Sequence, residues 1–221
     1  MELPAALRQA VDAALAKVAL RDLAAAAQTL SDRYRAETRD GSPHISDDLA
    51  ARAYLATRLP ATFAAVSAVF DAVAAARPYF VPRSLLDLGA GPGTAMWAAA
   101  QAWPLADALM IERSGPIRAF GENFAAVAPV ETITWADIDL AGGLPAGDRR
   151  DLVVIAYVLN ELAPATADRL VEEAFAASDG MLVIVEPGTP AGWKRMLQAR
   201  ARLLAAGRIP SRLVRMPPPA R

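Results

Sequence analysis

The sequence predicts an α/β fold with a mostly parallel sheet, preceded by a helical N-terminal region. Short apolar runs alternate with helical segments through the second half of the chain, as in sheets whose strands are joined by crossover helices. One run, residues 84–88, leads directly into a glycine-rich turn and a helix, which is the nucleotide-binding arrangement of a parallel sheet. We therefore expect a helical region at residues 1–80 and a doubly wound, Rossmann-like sheet at residues 81–221.

The composition agrees with a globular chain that forms its own core. The 221 residues are 54% hydrophobic and 21% charged. The absence of cysteine excludes disulfides, thiolate metal sites and a cysteine nucleophile, and we predict no metal site. The first turns mix acidic and basic residues, and no uncharged run is long enough to cross a bilayer. We expect a soluble cytoplasmic protein with no membrane partner.

The charge of the chain is unevenly distributed. The net charge is −1, but the last acidic residue is Glu186, and eight basic residues follow it without an opposing charge. They are Lys194, Arg195, Arg200, Arg202, Arg208, Arg212, Arg215 and Arg221. A basic end without acids predicts a polyanionic partner such as RNA. A solvated, arginine-rich helix face explains the same residues equally well.

Helical periodicity dominates the N-terminal region. Apolar residues recur at three- and four-residue spacing within residues 3–38, and two further helices are predicted on either side of Pro60. The single histidine, His44, is expected to be a loop residue, with a functional role as the alternative. Arg52 and Arg58 are candidates for contact with a phosphate or a ligand carboxylate, or for ion pairs with nearby aspartates.

The glycine-rich turn has the spacing of a cofactor site. A dinucleotide fingerprint requires a third glycine or alanine where this chain has Thr94. The compact spacing found here is typical of sites for S-adenosyl-L-methionine (SAM), which has no pyrophosphate to accommodate. The alternative is a turn that merely joins a strand to a helix. The predicted cofactor-binding residues of this segment are Asp87, Gly89, Ala90, Gly91 and Gly93.

Acidic residues after the next two predicted strands extend the cofactor site. Glu112 follows the second strand, 19 residues beyond Gly93, where an acid accepts hydrogen bonds from ribose hydroxyls. An exposed capping acid before Ser114 is the alternative. The third strand, residues 132–135, is followed by Asp137, a candidate contact for the adenine amino group.

The last two predicted strands lead into polar turns at the same edge of the sheet. Residues 151–158 form the fourth predicted strand, and Asn160 and Glu161 follow it. Tyr157 lies inside this strand and is expected to be either a core residue or a ring that stacks on a base. Residues 181–185 form the fifth strand and run into Glu186. We predict Asn160, Glu161 and Glu186 as the catalytic residues around the methyl acceptor. For Asn160 and Glu161 the alternative is a helix N-terminus that Asn160 caps.

Four sequence blocks together identify a known family. AYLATRLPATFAAV, SLLDLGAGPGTAMWAA, DLVVIAYVLNEL and VIVEPGTPAGW resemble the methyltransferase-like proteins associated with the small ribosomal subunit. That family includes mitochondrial small-subunit assembly factors and bacterial relatives, and the resemblance spans about residues 46–207. It implies a SAM-binding class I methyltransferase fold, small-subunit ribosomal RNA (rRNA) or the ribosome as partner, and rRNA methyltransferase activity.

The chain departs from that family in two respects. Members usually carry a cysteine cluster beyond the helix after the EPG block, and its metal site cannot be transferred to a chain without cysteine. Class I methyltransferases also end in an antiparallel strand pair, whereas the residues after Gly207 hold at most one short strand, residues 211–215. We therefore predict that the C-terminal strand pair is missing or reduced, after a basic helix and tail.

Three functions agree with these residues. The first is a SAM-dependent methyltransferase acting on small-subunit rRNA. The second is a non-catalytic, SAM-binding assembly factor, because the Asn/Asp-Pro-Pro-aromatic motif that positions an exocyclic amine is absent and Asn160-Glu161-Leu162 stands in its place. The third is a small-molecule methyltransferase with the N-terminal helices as a lid.

Overall fold

Four helices precede the sheet in the computed structural model, which describes residues 2–36, 44–145 and 147–207. They are α1 (Ala5–Leu15), α2 (Leu20–Arg35), α3 (Asp48–Thr57) and α4 (Leu59–Ala76). Asp47 caps α3, because its side chain accepts a hydrogen bond from the Ala50 amide at 2.8 Å. Helical segments therefore occupy the region in which the sequence predicts them.

The described strands form one sheet, in which every neighbouring pair is parallel. Its order is β3-β2-β1-β4-β5. The strands are β1 (Ser84–Leu88), β2 (Asp107–Ile111), β3 (Thr132–Ala136), β4 (Arg150–Ala156) and β5 (Ser178–Val185). The chain reverses its direction of winding between β1 and β4, and ligands of such sheets bind at the carboxyl ends of the strands near that point. The predicted fold class is confirmed.

The connecting helices are α5 (Thr94–Ala102), α6 (Gly115–Ala125), α7 (Pro164–Ala176) and α8 (Pro190–Ala205), with a 3₁₀ turn at Leu140–Gly142. The basic helix α8 begins three residues before the predicted start at residue 193. The Thr189 hydroxyl accepts a hydrogen bond from the Gly192 amide at 3.1 Å, and Pro190 occupies the first helical position. The predicted short strand at residues 211–215 and the basic tail lie outside the described residues.

The strands bury side chains on both faces. Along β4, Leu152 and Val154 join the core that contains α4, α5 and α6, whereas Val153 and Ile155 join the core that contains α7 and α8. This alternation follows from the two-residue period of a strand. The N-terminal helices share the first of these cores with the sheet, so residues 1–80 and the sheet are packed together.

Among the described helices, α4 alone is long and apolar enough to cross a membrane, judged by length and composition. It packs against α5 and places Phe63, Val66 and Phe70 in the core, with Asp71 exposed. A core helix of a soluble protein passes the same test, so this property is weak evidence for a membrane span.

Candidate functional site

A cavity of about 1200 Å³ opens at the carboxyl edge of the sheet. The turns after β1, β2, β4 and β5 form one side, and residues of α2, α3 and α4 form the other. Of the predicted site residues in the described chain, Gly89, Gly91, Glu112, Asn160 and Glu161 line it. The structure therefore brings residues from three separate turns to one site.

The glycine turn contributes backbone to the cavity wall. Gly89 and Gly91 have φ angles of +72° and +56°, which favour glycine. A Cβ atom at Gly89 would lie 2.4 Å from Cγ2 of Val158, so the Val158 side chain already occupies the space that a side chain at residue 89 would need. A Cβ atom at Gly91 would meet only the Tyr54 hydroxyl, at 3.9 Å, so Gly91 faces open cavity.

Three other residues of the predicted cofactor segment lie behind the wall. Ala90 is 5% exposed, and Gly93 packs beside Met96 and Met110. Asp87 is 1% exposed and accepts a hydrogen bond from the Met96 amide. Burial, reinforced by the nearby Glu112 carboxylate, raises the pKa of Asp87 to about 7. These residues support the turn and do not line the cavity.

Glu112 lines the cavity with both carboxylate oxygens engaged by backbone amides. The Gly91 amide donates to Oε2 at 2.8 Å, and the Ser114 amide donates to Oε1 at 2.7 Å. Glu112 therefore ties the turn after β2 to the glycine turn and is not the exposed capping acid of the alternative, because Ser114 is the N-cap of α6 and no side chain caps that helix. Burial raises its pKa, and the two amide hydrogen bonds oppose that rise.

Asp137 lies outside the cavity. Its side chain is 63% exposed and forms a 3.0 Å ion pair with Arg118, which also donates to the backbone oxygen of Glu112 at 2.7 Å. The cavity is lined instead by the next two residues, Ile138 and Asp139. The role of Asp137 at the adenine amino group stays a prediction.

The turn after β4 carries Asn160 and Glu161 into the cavity. The cap of α7 is Ala163, so Asn160 does not have the capping role considered above. Glu161 is solvent-accessible through the cavity, and the protein atoms that line the cavity partly bury its carboxyl. This burial, with the nearby Glu112 carboxylate, raises its pKa to about 7, and a hydrogen bond with Tyr34 opposes the rise.

Glu186 does not line the cavity. Its side chain is fully buried and forms a 2.6 Å ion pair with Arg195, whose side chain is 15% exposed. Arg195 and the adjoining residues Pro187 to Ala191 line the cavity in its place. A direct role of Glu186 at an acceptor stays a prediction, and the observed contact makes it a support for α8.

Tyr157 has an unusual backbone conformation. The predicted strand runs through this residue, but β4 ends at Ala156 and Tyr157 has a φ angle of +63°. Its amide still donates to the Val185 oxygen at 2.9 Å. A tyrosine in the left-handed region costs on the order of 1 kcal/mol, and such strain is concentrated at functional sites. The side chain lines the cavity and also packs against the edge of the core.

The N-terminal helices contribute further residues to the cavity, among them Tyr34 and Tyr54, which the sequence analysis did not predict, and Arg58, which it gave as a candidate for ligand contact. Arg58 donates to the Ser31 hydroxyl at 3.1 Å. Arg52 instead pairs with Asp48 at 2.6 Å, which is the ion-pair alternative considered for it. Tyr54 and Arg58 are four residues apart within the AYLATRLP segment, so they lie on one helical face. This spacing is the sequence feature from which their shared position could have been predicted.

The raised pKa of Asp87 predicts how stability depends on pH. The folded chain holds a proton on this carboxyl up to about pH 7, whereas an unfolded aspartate loses it near pH 4. Folding therefore takes up protons in this window, and the contribution to stability falls as pH rises from about 4 to 7. We expect Asp87→Asn to reduce the decline of the melting temperature over that range.

Thermal unfolding measured at half-unit pH steps tests this expectation. The exposed residue Asp12 gives the matched control, Asp12→Asn, which removes one carboxyl without disturbing the site. Asparagine keeps an oxygen for the Met96 amide, so the fold is preserved. Parallel pH profiles for the wild type and Asp87→Asn would contradict the protonation of Asp87.

The family assignment rests on most of the chain. The family described as mitochondrial small ribosomal subunit Rsm22 matches residues 48–212. The chain belongs to this family. Ribosome assembly protein METTL17, mitochondrial, of Homo sapiens is a relative of the chain, 33% identical over 158 residues. That match covers 68% of this chain and 34% of the human protein, so the chain spans about a third of the length of this relative.

Solved structures share the fold of this Rsm22-family chain. The plantazolicin methyltransferase BpumL, in complex with a triazolic desmethylPZN analog and SAH, superposes with a TM-score of 0.50 at 14% identity, covering 78% of this chain and 57% of BpumL. Magnesium protoporphyrin IX methyltransferase (ChlM) from Synechocystis PCC 6803, with bound SAH, has a TM-score of 0.47 at 18% identity, covering 84% of this chain and 77% of ChlM. The sheet order and the BpumL superposition confirm the predicted methyltransferase fold.

One sequence-based prediction is wrong. A cytoplasmic location was expected from the composition and the N-terminal residues. The Rsm22 family and the human relative are both described as mitochondrial, which overturns that expectation.

Proposed function

We propose that this chain binds SAM at the glycine end of the cavity and acts as a methyltransferase-like factor of the small ribosomal subunit, with its rRNA as partner and methyl acceptor. The observation that carries the cofactor assignment is the hydrogen bond between the Gly91 amide and the Glu112 carboxylate on the cavity wall. Family membership supports the ribosomal part. The exposed residues Lys194 and Arg200 on α8 support a polyanionic partner.

The chemistry of the cavity fits SAM. The sulfonium and ammonium groups of SAM are cationic, and the Glu112 and Glu161 carboxylates line the cavity. The open space beside Gly91 admits a ligand that a larger residue would block. Because a cation favours the ionised form of a nearby carboxyl, SAM binding is expected to release protons and to strengthen as pH rises through 7.

The residues of this chain have separable roles in the proposal. Bound SAM would supply an electrophilic methyl group. Glu112 would accept hydrogen bonds from the ribose hydroxyls, and Gly91 would allow close approach of the ligand to the backbone. Asn160 and Glu161, which line the cavity in the turn after β4, would orient the acceptor, because methyl transfer depends chiefly on placement.

Replacing Glu112 is expected to weaken SAM binding. Glu112→Ala removes the acceptor for the ribose and the carboxylate that orders the Gly91 and Ser114 amides. We expect a loss of affinity of more than about tenfold by calorimetric titration, since a hydrogen bond to a charged group contributes about 1.5–3 kcal/mol. The exposed residue Glu131 gives the matched control, Glu131→Ala. Unchanged affinity in Glu112→Ala would remove the basis of the cofactor assignment.

A non-catalytic assembly factor is the second candidate. The turn after β4 holds Asn160-Glu161-Leu162 in place of the motif that usually positions an acceptor amine. Transfer of tritiated methyl groups from SAM to small-subunit rRNA distinguishes the two functions. Incorporation supports the methyltransferase, whereas binding of SAM and rRNA without incorporation supports the assembly factor.

A further inference from the structure

The cavity is larger than a single cofactor needs. Sites for small molecules and cofactors usually enclose about 300–1000 Å³, and this cavity measures about 1200 Å³. The glycine turn and Glu112 form one end. The adjoining part, which we call the tyrosine compartment, is formed by Tyr34, Arg58, Tyr157 and Glu161. Tyr54 belongs to the glycine end, because its hydroxyl would lie 3.9 Å from a Cβ atom at Gly91.

Tyr157 is the aromatic ring that the tyrosine compartment offers to a ligand, because the Tyr34 ring is already stacked on His44 and covered by Arg58. The Tyr34 ring stacks on His44 with centroids 4.6 Å apart, and the Arg58 guanidinium lies 5.3 Å from the Tyr34 centroid. Tyr157 is held towards the cavity by its left-handed backbone. Stacked rings and guanidinium planes are the surfaces on which proteins bind unpaired nucleobases.

Glu161 supplies a hydrogen-bond acceptor beside these rings. Its carboxyl accepts a hydrogen bond from the Tyr34 hydroxyl, and the side chain lines the cavity. Above about pH 7 this carboxyl is ionised, and it then suits a ring that carries an N–H donor, because it accepts from an amino group and has no hydrogen to offer a carbonyl. The compartment therefore discriminates between an amino and a carbonyl substituent.

Arg58 supplies a cation in the same compartment. It donates to the Ser31 hydroxyl, and within the described ranges no carboxylate lies within ion-pair distance of it. A guanidinium with remaining donors is a good ligand for a phosphate. Rings, acceptor and cation together match the base and phosphate of a nucleotide.

We propose that the tyrosine compartment binds one unstacked nucleotide of single-stranded RNA whose base carries an exocyclic amino group, with Glu161 accepting from that amino group and Arg58 contacting the phosphate. The inference rests on the proposed function, because it leaves the glycine end of the cavity to SAM. It adds a base preference and two recognition residues, which neither the fold nor the family assignment supplies.

The test compares cytidine and uridine monophosphates at pH 8, above the raised pKa of Glu161, on the full chain saturated with SAH. The two nucleotides differ at the amino or carbonyl group that would face Glu161. Saturation-transfer NMR detects weak binding and reports dissociation constants into the millimolar range. We expect cytidine monophosphate to bind about tenfold tighter than uridine monophosphate. Equal affinities, or no saturation transfer from either nucleotide, would overturn the proposal.

Two variants separate the recognition residues. Glu161→Ala is expected to remove the preference for cytidine monophosphate over uridine monophosphate. Arg58→Ala is expected to weaken the binding of cytidine monophosphate and to leave the affinity for cytidine, which has no phosphate, unchanged. Arg113 also lines the cavity but pairs with Asp139 at 3.0 Å, so Arg113→Ala is the matched control. A preference that survives Glu161→Ala would overturn the role of Glu161.

The outcomes distinguish this inference from the proposed function. SAH binding without nucleotide binding would overturn the inference alone, and nucleotide binding without SAH binding would overturn the cofactor assignment alone. Competition between SAH and cytidine monophosphate would place the nucleotide at the glycine end and contradict the inference. The trinucleotide UCU is expected to bind more tightly than the mononucleotide, and equal affinity would contradict the assignment to RNA.

Discussion

Replacing Gly192 by alanine is expected to lower the free energy of unfolding by about 3 kcal/mol, the upper end of the usual range for overpacking a core. Gly192 lies in the first turn of α8 and is buried. A Cβ atom there would lie 2.1 Å from the backbone oxygen of Pro187. Because the obstacle is backbone, relief requires movement of either the helix or the turn that precedes it.

Urea unfolding measures this effect, and Gly142 supplies the control. A Cβ atom at Gly142 meets no atom within 4 Å, and its φ angle is not in the left-handed region. Gly142→Ala is therefore expected to change the free energy of unfolding by less than about 0.5 kcal/mol. Coincident unfolding curves for Gly192→Ala and the wild type would show that α8 does not pack on Pro187 as described.

Replacing Gly91 by valine is expected to weaken SAM or SAH binding about a hundredfold or more. The branched side chain would extend into the open cavity beside the Glu112 carboxylate, where the cofactor is proposed to lie. Valine also disfavours the φ angle of +56°, so the turn would shift and the Gly91 amide would leave Glu112. The steric block and the shift of the turn both disturb the place beside Gly91 and Glu112 where the cofactor is proposed to bind.

A matched variant separates lost binding from lost stability. Gly207 has a φ angle of +72° and no atom within 4 Å of its would-be Cβ. Gly207→Val therefore carries a comparable backbone strain, of about 1–2 kcal/mol, at a distance from the site. Calorimetric titration of both variants with SAH, alongside their melting temperatures, gives the comparison. Wild-type affinity in Gly91→Val would exclude Gly91 from the cofactor site.

The parts of the site that arise from local sequence were predictable. The glycine turn follows β1 directly, and Glu112 follows β2, so strand ends and spacing placed both at one edge of the sheet. Asp137 illustrates the limit of this reasoning. Its position after β3 agrees with the prediction, but the direction of its side chain was set by Arg118, a residue of α6 that the strand pattern does not reveal.

The remaining features depend on long-range packing. Tyr157 was assigned to a strand because it continues an apolar run, whereas the chain leaves the sheet at Ala156 and turns the ring towards the cavity. Tyr34 and Arg58 reach the same cavity only because α2 and α3 pack over the sheet edge. No spacing rule connects residues of separate helices, so their proximity required the structure.

The core shared by the N-terminal helices and the sheet has a consequence for biosynthesis. Phe70 of α4 packs against Trp103, with ring centroids 5.2 Å apart, and Phe63 lies in the same core as Trp97. Both tryptophans follow the helices in the chain, so translation exposes the apolar face of α4 before its partners exist. A nascent chain at that stage presents a hydrophobic surface, which chaperones recognise, until β1 and α5 have been synthesised.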